Sequence, residues 1–168
     1  MFQANLDAIQ SAAQELENAL AGHCPGHEQE WSVRMRDVLL DLEQGLRVHR
    51  ASTEGQNGMF ASMNDLAPDT TPTRDRQLQK FCAEHEDFME RARLLRSDVQ
   101  QAIQVFHPLQ DKPATALGPV TPAQAGAVPD FGSIRQRGAH LVEALRKHNE
   151  DETKLLLETA TTDVGVGD

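Results

Sequence analysis

The amino-acid sequence predicts an all-α protein that folds as one up-and-down four-helix bundle. Apolar residues recur at alternating spacings of three and four in four long segments, which is the period of a one-sided helix. The helix formers Ala, Leu, Gln, Glu and Arg dominate the composition, and aromatic residues make up only 4% of a chain without tyrosine. No segment shows the alternation of β-branched and aromatic residues that is typical of a strand.

The first two predicted helices span about residues 2–21 and 27–54. Gly22 is placed to end the first helix, the Cys-Pro-Gly sequence at 24–26 forms a turn, and Gly55 closes the second helix. Because this turn is short, the two helices are expected to be antiparallel neighbours. Their stripes are Phe2, Leu6, Ile9, Ala13, Leu16 and Leu20 in the first helix, and Trp31, Met35, Val38, Leu42, Leu46 and His49 in the second.

The third predicted helix spans about residues 72–106 and is the longest. Thr71 is the expected N-cap and Pro72 the first helical position. The connector before it contains the apolar residues Met59, Phe60, Met63 and Leu66, which we expect to pack against the bundle as a short helix. The stripe of the third helix is Leu78, Phe81, His85, Phe88, Ala92, Leu95, Val99, Ala102 and Phe106.

A long Pro/Ala-rich loop is predicted between the third and fourth helices, at residues 107–130, because five of the eight prolines lie there. Asp130 is the expected cap of the fourth helix, which runs to about Thr161 and is followed by a tail at 162–168. The whole chain, 1–168, is long enough for a single domain with one core. The stripe of the fourth helix is Ile134, Gly138, Leu141, Leu145, His148, Glu152, Leu155 and Thr159.

The charge balance of the chain excludes some partners. Acidic residues outnumber basic ones by 26 to 16, and the net charge of −10 argues against nucleic acid or an anionic membrane surface as the main partner. No apolar run approaches the roughly 18–20 residues of a membrane span, and the first residues do not resemble a secretory signal. Cys24 and Cys82 are therefore expected to be reduced thiols in a cytoplasmic protein.

Position divides the seven histidines into two groups. His49, His85 and His148 fall on the apolar stripes of three different helices, and an up-and-down arrangement brings them to a similar level, where they can converge. The other four lie off the stripes and are expected to have no ligand role: His23, His27, His107 and His140.

Carboxylates accompany the three stripe histidines. Glu152 follows His148 by four residues on the same face, and Glu54 follows His49 by five. Glu84 and Glu86 flank His85 and point sideways, so they are expected to be solvated or to support the ligands from outside. Neutral imidazoles and carboxylates together bind iron, zinc or copper. The alternative is that His148 and Glu152 pair with each other or reach solvent without a metal.

With these residues, the chain resembles the hemerythrin-like (HHE cation-binding) domain family. The resemblance rests on LRVHRASTEG, CAEHEDFMERARLL and LRKHNEDETKLLLE, and it covers the chain from about Trp31 onward. It implies a non-haem di-iron centre or another metal pair that binds oxygen, senses oxygen or redox state, or handles iron. The expected metal ligands are His49, Glu54, His85, His148 and Glu152.

Two departures from the family pattern leave the nature of the site open. The first helix offers no histidine, and Thr53 stands where the carboxylate four residues after His49 is usual. A mononuclear site, a weakened site and a lost site therefore all remain, with iron or zinc as the metal if one binds.

The chain is not expected to be an enzyme, because it contains no glycine-rich phosphate loop, nucleophile elbow or CxxC pair. The expected partners are a metal ion and a diatomic ligand. The alternative function is a metal-free helical interaction module, and a di-iron oxidase is a third and weaker candidate.

Overall fold

The structure is a computed structural model, which describes the backbone of residues 2–22, 25–66, 72–106 and 130–163, and the side chains of 8–22, 25–63, 73–105 and 130–159. The helices of these segments are α1 Phe2–Ala21, α2 Glu28–Glu54, α3 Met59–Leu66, α4 Pro72–Phe106 and α5 Phe131–Asp163. The described segments contain no strand, which confirms the all-α class. None of the helices in these segments combines the length and apolar character that a bilayer crossing requires.

The four long helices and the short one follow the predicted boundaries closely. α5 continues to Asp163, so residues 162 and 163, predicted as tail, are helical. The backbone N–H of Ser133 donates to Asp130 Oδ1 at 3.0 Å, which confirms Asp130 as the cap of α5. The predicted loop at 107–129, the Thr71 cap, Cys24 and the tail from 164 lie outside the described residues.

Gly55 ends α2 in a way that the sequence did not predict. Its backbone is extended (φ −60°, ψ 161°) rather than left-handed, and its N–H donates to the carbonyl of Ala51. A Cβ at this position would lie 2.5 Å from the same carbonyl oxygen. Glycine is therefore required here for close backbone approach and not for a positive φ.

The long helices pack side by side, with α1 against α2 and α5, and α4 against the same two helices. Contacts between neighbours join residues in opposite chain order, so adjacent long helices run antiparallel. These contacts are Glu43–Arg96 and Arg50–Glu86 between α2 and α4, Asp98–Arg137 and Lys80–Asp151 between α4 and α5, and Glu17–Arg146 and Leu20–Gly138 between α1 and α5.

The core forms where the predicted stripes meet. Every stripe residue whose side chain is described is buried, except that Val38 and Thr159 are half-buried. Leu39 takes the fully buried position beside Val38. Leu39 lies four residues after Met35 and three before Leu42, so it shares the buried face of both.

The short helix α3 covers one end of the core. Met59, Phe60 and Met63 form a second apolar cluster together with Phe81 of α4 and Leu155 of α5. This packing confirms the expected short helix for Met59, Phe60 and Met63, while the side chain of Leu66 lies outside the described residues. The cluster also places the rings of Phe60 and Phe81 beside the buried histidines His85 and His148.

The indole of Trp31 joins the end of α1 to the start of α2. Its Nε1–H donates to the carbonyl of Ala19 at 2.8 Å, and its ring meets Phe131 edge to face. Trp31→Phe is expected to lower the free energy of unfolding by about 1.5 kcal/mol, because the buried carbonyl loses its partner. Urea denaturation followed by circular dichroism measures the loss, with exposed Leu40→Ala as the control. A loss equal to that of the control would contradict the role of this hydrogen bond.

Candidate metal centre

Four buried side chains from three helices meet beneath α3. His49 comes from α2, His85 from α4, and His148 and Glu152 from α5; none is more than 3% exposed. One nitrogen or oxygen atom of each lies within 4.8 Å of the others. The ring of His85 is 4.9 Å from that of His49 and 4.7 Å from that of His148, measured between centroids. The structure therefore brings together four of the five residues predicted as ligands.

The distances between these donor atoms match those around a metal ion. His85 Nε2 is 3.0 Å from His148 Nε2, and His49 Nε2 is 3.1 Å from Glu152 Oε2. Donors about 2.0–2.1 Å from a common ion, at octahedral or tetrahedral angles, lie about 2.9–3.4 Å apart. His148 Nε2 is 3.8 Å from Glu152 Oε2, so this pair would have to close slightly. This distance is also too long for a hydrogen bond, so His148 does not donate to the carboxylate of Glu152.

Two further carboxylates hold the outer nitrogens of the imidazoles. His85 Nδ1 lies 2.7 Å from Glu54 Oε1, and His148 Nδ1 lies 2.8 Å from Glu84 Oε2. An ionised carboxylate only accepts, so each Nδ1–H donates to its carboxylate, and the Nε2 atom of each ring is the one that points to the other ring. The two Nε2 lone pairs then face each other at 3.0 Å. Such an arrangement requires a cation between them, either a proton or a metal ion.

A surface cation supports each of these outer carboxylates. Arg50 Nε donates to Glu54 at 2.9 Å, and Lys80 Nζ lies 3.3 Å from Glu84. Burial disfavours the charged form of Glu54, but hydrogen bonds from His85 and Arg50 outweigh burial and lower the pKa of Glu54. Burial also lowers the pKa of His85, against the opposing hydrogen bond of Glu54. Burial thus acts against the protonated form of His85, and the neutral imidazole is the form that binds metal ions.

Several buried polar atoms at the centre have no hydrogen-bond partner. Among the described residues they include both ring nitrogens of His49 and both carboxylate oxygens of Glu152. The 3.1 Å contact of His49 with Glu152 lacks hydrogen-bond geometry. A buried carboxylate without a partner is costly, and a bound metal ion would offset that cost. The donor set and its unsatisfied atoms thus fit a metal ion.

Aromatic rings enclose the histidines. Phe81 and Phe88 each meet His148 edge to face at 5.2 Å, and Phe60 stacks nearly parallel to His85 at 6.3 Å. These apolar walls exclude water and lower the local dielectric constant, which strengthens any interaction between the donors and a cation.

Glu54, predicted as a ligand, lies outside the group of four and binds the back of His85 instead. Five residues rotate a side chain about 140° around the helix, so Glu54 turns away from the direction of His49 and toward α4. Thr53 is buried on the His49 face, but its hydroxyl donates to the carbonyl of His49 within its own helix.

Glu84 supports His148 from outside the donor group, which is one of the two roles predicted for it from the sequence. Its partner is 64 residues away in the chain. The sequence indicated only that α4 and α5 are antiparallel, which places the start of α4 beside the end of α5. It did not indicate which side chains meet there.

The other histidines and cysteines that the structure describes lie outside the donor group. His140 is exposed, and His27 is exposed and pairs with Glu30, while His23 and His107 lie outside the described residues. Cys82 is a free, half-buried thiol. Burial, and then the negative charge of Glu54, raise the pKa of Cys82, and both disfavour the thiolate form that binds metal ions.

Comparison with the models of known families, with curated proteins and with solved structures finds no match to this chain.

Proposed function

We propose that this protein is a hemerythrin-like metal-binding protein that holds non-haem iron on His49, His85, His148 and Glu152. The observation that carries the proposal is the convergence of four buried donors from three helices. Two of them, His49 and Glu152, have no hydrogen-bond partner among the described residues. Its role would be to sense oxygen or redox state, or to handle iron.

The arrangement of the helices supports the family resemblance. Antiparallel contacts between successive long helices are those of an up-and-down four-helix bundle, the architecture that the family implies. The ligand-bearing segments follow the expected order, with His49 in α2, His85 in α4, and His148 and Glu152 one helical turn apart in α5. The carboxylates behind His85 and His148 are the kind of support that metal-bound imidazoles receive in proteins.

Enclosure of the donors favours binding or sensing over turnover of an organic substrate. A bound iron ion would supply redox chemistry and a position for a small ligand such as a diatomic gas. The chain itself supplies three imidazoles, one carboxylate, and aromatic walls that exclude water. With donors at most 3% exposed, a large substrate has no direct route to the ion. A metal-free interaction module, the alternative, would leave Glu152 buried and unsatisfied.

Metal analysis of freshly purified protein tests the proposal. Protein expressed in iron-supplemented medium is expected to contain stoichiometric iron. The His85→Ala, His148→Ala double variant is expected to retain less than about a tenth of it, because two of the three nitrogen donors are gone. Mass spectrometry of the digested protein measures the metal content.

His140→Ala is the matched control, because His140 lies exposed on the same helix as His148 and is expected to leave the metal content unchanged. Wild-type protein that is metal-free, and whose thermal stability does not respond to added iron or zinc, would contradict the proposal and favour the interaction module. Stoichiometric zinc in place of iron would support a metal-binding protein but contradict the assignment of iron.

A further inference from the structure

We infer that the centre takes a single divalent metal ion, and not the pair of ions that the hemerythrin resemblance implies, with Glu54 and Glu84 acting as positioning residues for His85 and His148. This inference rests on the proposed metal-binding function and specifies the kind of site.

The size of the donor group is that of one coordination shell. All four donor atoms lie within 4.8 Å of one another. Two ions in a shared site are about 3.5–4 Å apart, so ligands on their far sides would be separated by roughly 7 Å. The donor group is too small for that arrangement, whereas one ion requires only a small closure of the widest pair.

The two carboxylates that border the donor group are already engaged. Glu54 accepts from His85 and Arg50, and Glu84 accepts from His148 with Lys80 beside it. Each lies on the outer side of an imidazole, at Nδ1, whereas the donor atoms meet at Nε2. From that side a carboxylate fixes the ring and its tautomer but does not reach the ion.

The described part of α1 presents apolar residues to the core near the donor group. In the described part of α1 the core-facing residues near this level are Ile9 and Ala13, which line a small cavity with Asn149 of α5. Charge also favours a single ion, since Glu152 is the single fully buried carboxylate in the donor group. It can partly neutralise one divalent ion, and a second would remain uncompensated.

Titration of the metal-free full-length protein with Fe²⁺ under anaerobic conditions, and separately with Zn²⁺, tests the inference. One ion per chain is expected with either metal. After exposure to air, the iron-loaded protein should lack the intense near-ultraviolet bands of an oxo-bridged iron pair, and X-ray absorption should show no neighbouring metal atom. Two ions per chain, or a metal neighbour, would overturn the single-ion inference and leave the proposed function standing. Binding of neither metal would overturn both.

The positioning role is tested with Glu54→Gln and Glu84→Gln. Each variant is expected to bind one ion with an affinity about 10–100-fold weaker, because the outer hydrogen bond to the imidazole loses its charge. Glu54→Ala, which removes the acceptor, should weaken binding further than Glu54→Gln. The visible spectrum of bound Co²⁺ should keep the same coordination geometry in the glutamine variants.

Exposed Glu90→Gln on α4 is the matched control, since its carboxylate pairs with Arg93 on the surface. Its affinity should equal that of the wild type. If the Glu54 or Glu84 variants also bind with wild-type affinity, or if either changes the coordination geometry seen with Co²⁺, the positioning role is wrong.

Discussion

Glu152→Gln is expected to abolish the stabilisation of the protein by bound metal. At a metal concentration of about 1,000 times Kd, binding to the folded state adds about 4 kcal/mol to the stability of the wild type. For a chain of this length, that corresponds to a rise in Tm of roughly 8–16 °C. The variant keeps the shape of the side chain but loses the anionic ligand, so its Tm should rise by less than about 3 °C at the same concentration.

Thermal unfolding with and without metal measures this effect. Glu143→Gln is the control, because Glu143 is exposed on the same helix, and it should respond to metal as the wild type does. Without metal, the Glu152→Gln protein should remain folded, since the substitution removes a buried charge whose oxygens have no hydrogen-bond partner. Equal metal-induced shifts in the variant and the wild type would mean that Glu152 is not a ligand.

Arg96→Ala is expected to destabilise the protein by about 2 kcal/mol, for a reason unrelated to the metal. Glu43 of α2 is buried, and its carboxylate accepts from Arg96 of α4 at 2.6 Å and from Arg47 of its own helix at 3.0 Å. Removing one partner of a buried ion pair costs about 3–5 kcal/mol. The smaller value is expected here because Arg47 remains and Arg96 itself is partly exposed.

The double variant Glu43→Leu, Arg96→Leu separates the ion pair from the packing around it. Replacing both partners with apolar residues leaves no buried charge, so the double variant should be more stable than Arg96→Ala alone. Arg93→Ala, one helical turn away and paired with exposed Glu90, should change the free energy of unfolding by less than about 0.5 kcal/mol. Chemical denaturation of the three variants measures these differences. A double variant no more stable than Arg96→Ala would show that the buried charge is not the cause of the loss.

The periodicity of the sequence was sufficient to predict the helices and their buried faces. The spacing of three and four residues predicted α1, α2, α4 and α5, and the glycine, proline and capping residues beside them predicted their ends within about two residues. It also identified His49, His85 and His148 as core residues, because a polar residue on an apolar stripe is buried with that stripe. The pairing of Glu152 with His148 on one face followed from the same helical geometry.

The sequence did not predict which polar side chains meet between the helices. Whether Glu54 lies among the donor atoms or behind His85 depends on the rotation and register of α2 against α4, which no spacing within α2 specifies. Glu84 and Glu43 were not distinguishable from solvated glutamates, because their partners His148 and Arg96 are 64 and 53 residues away. Helical period determines which side of a helix is buried. Which polar groups then meet across the core is decided by distances of a few ångströms between helices, and these are determined only when all the helices pack together.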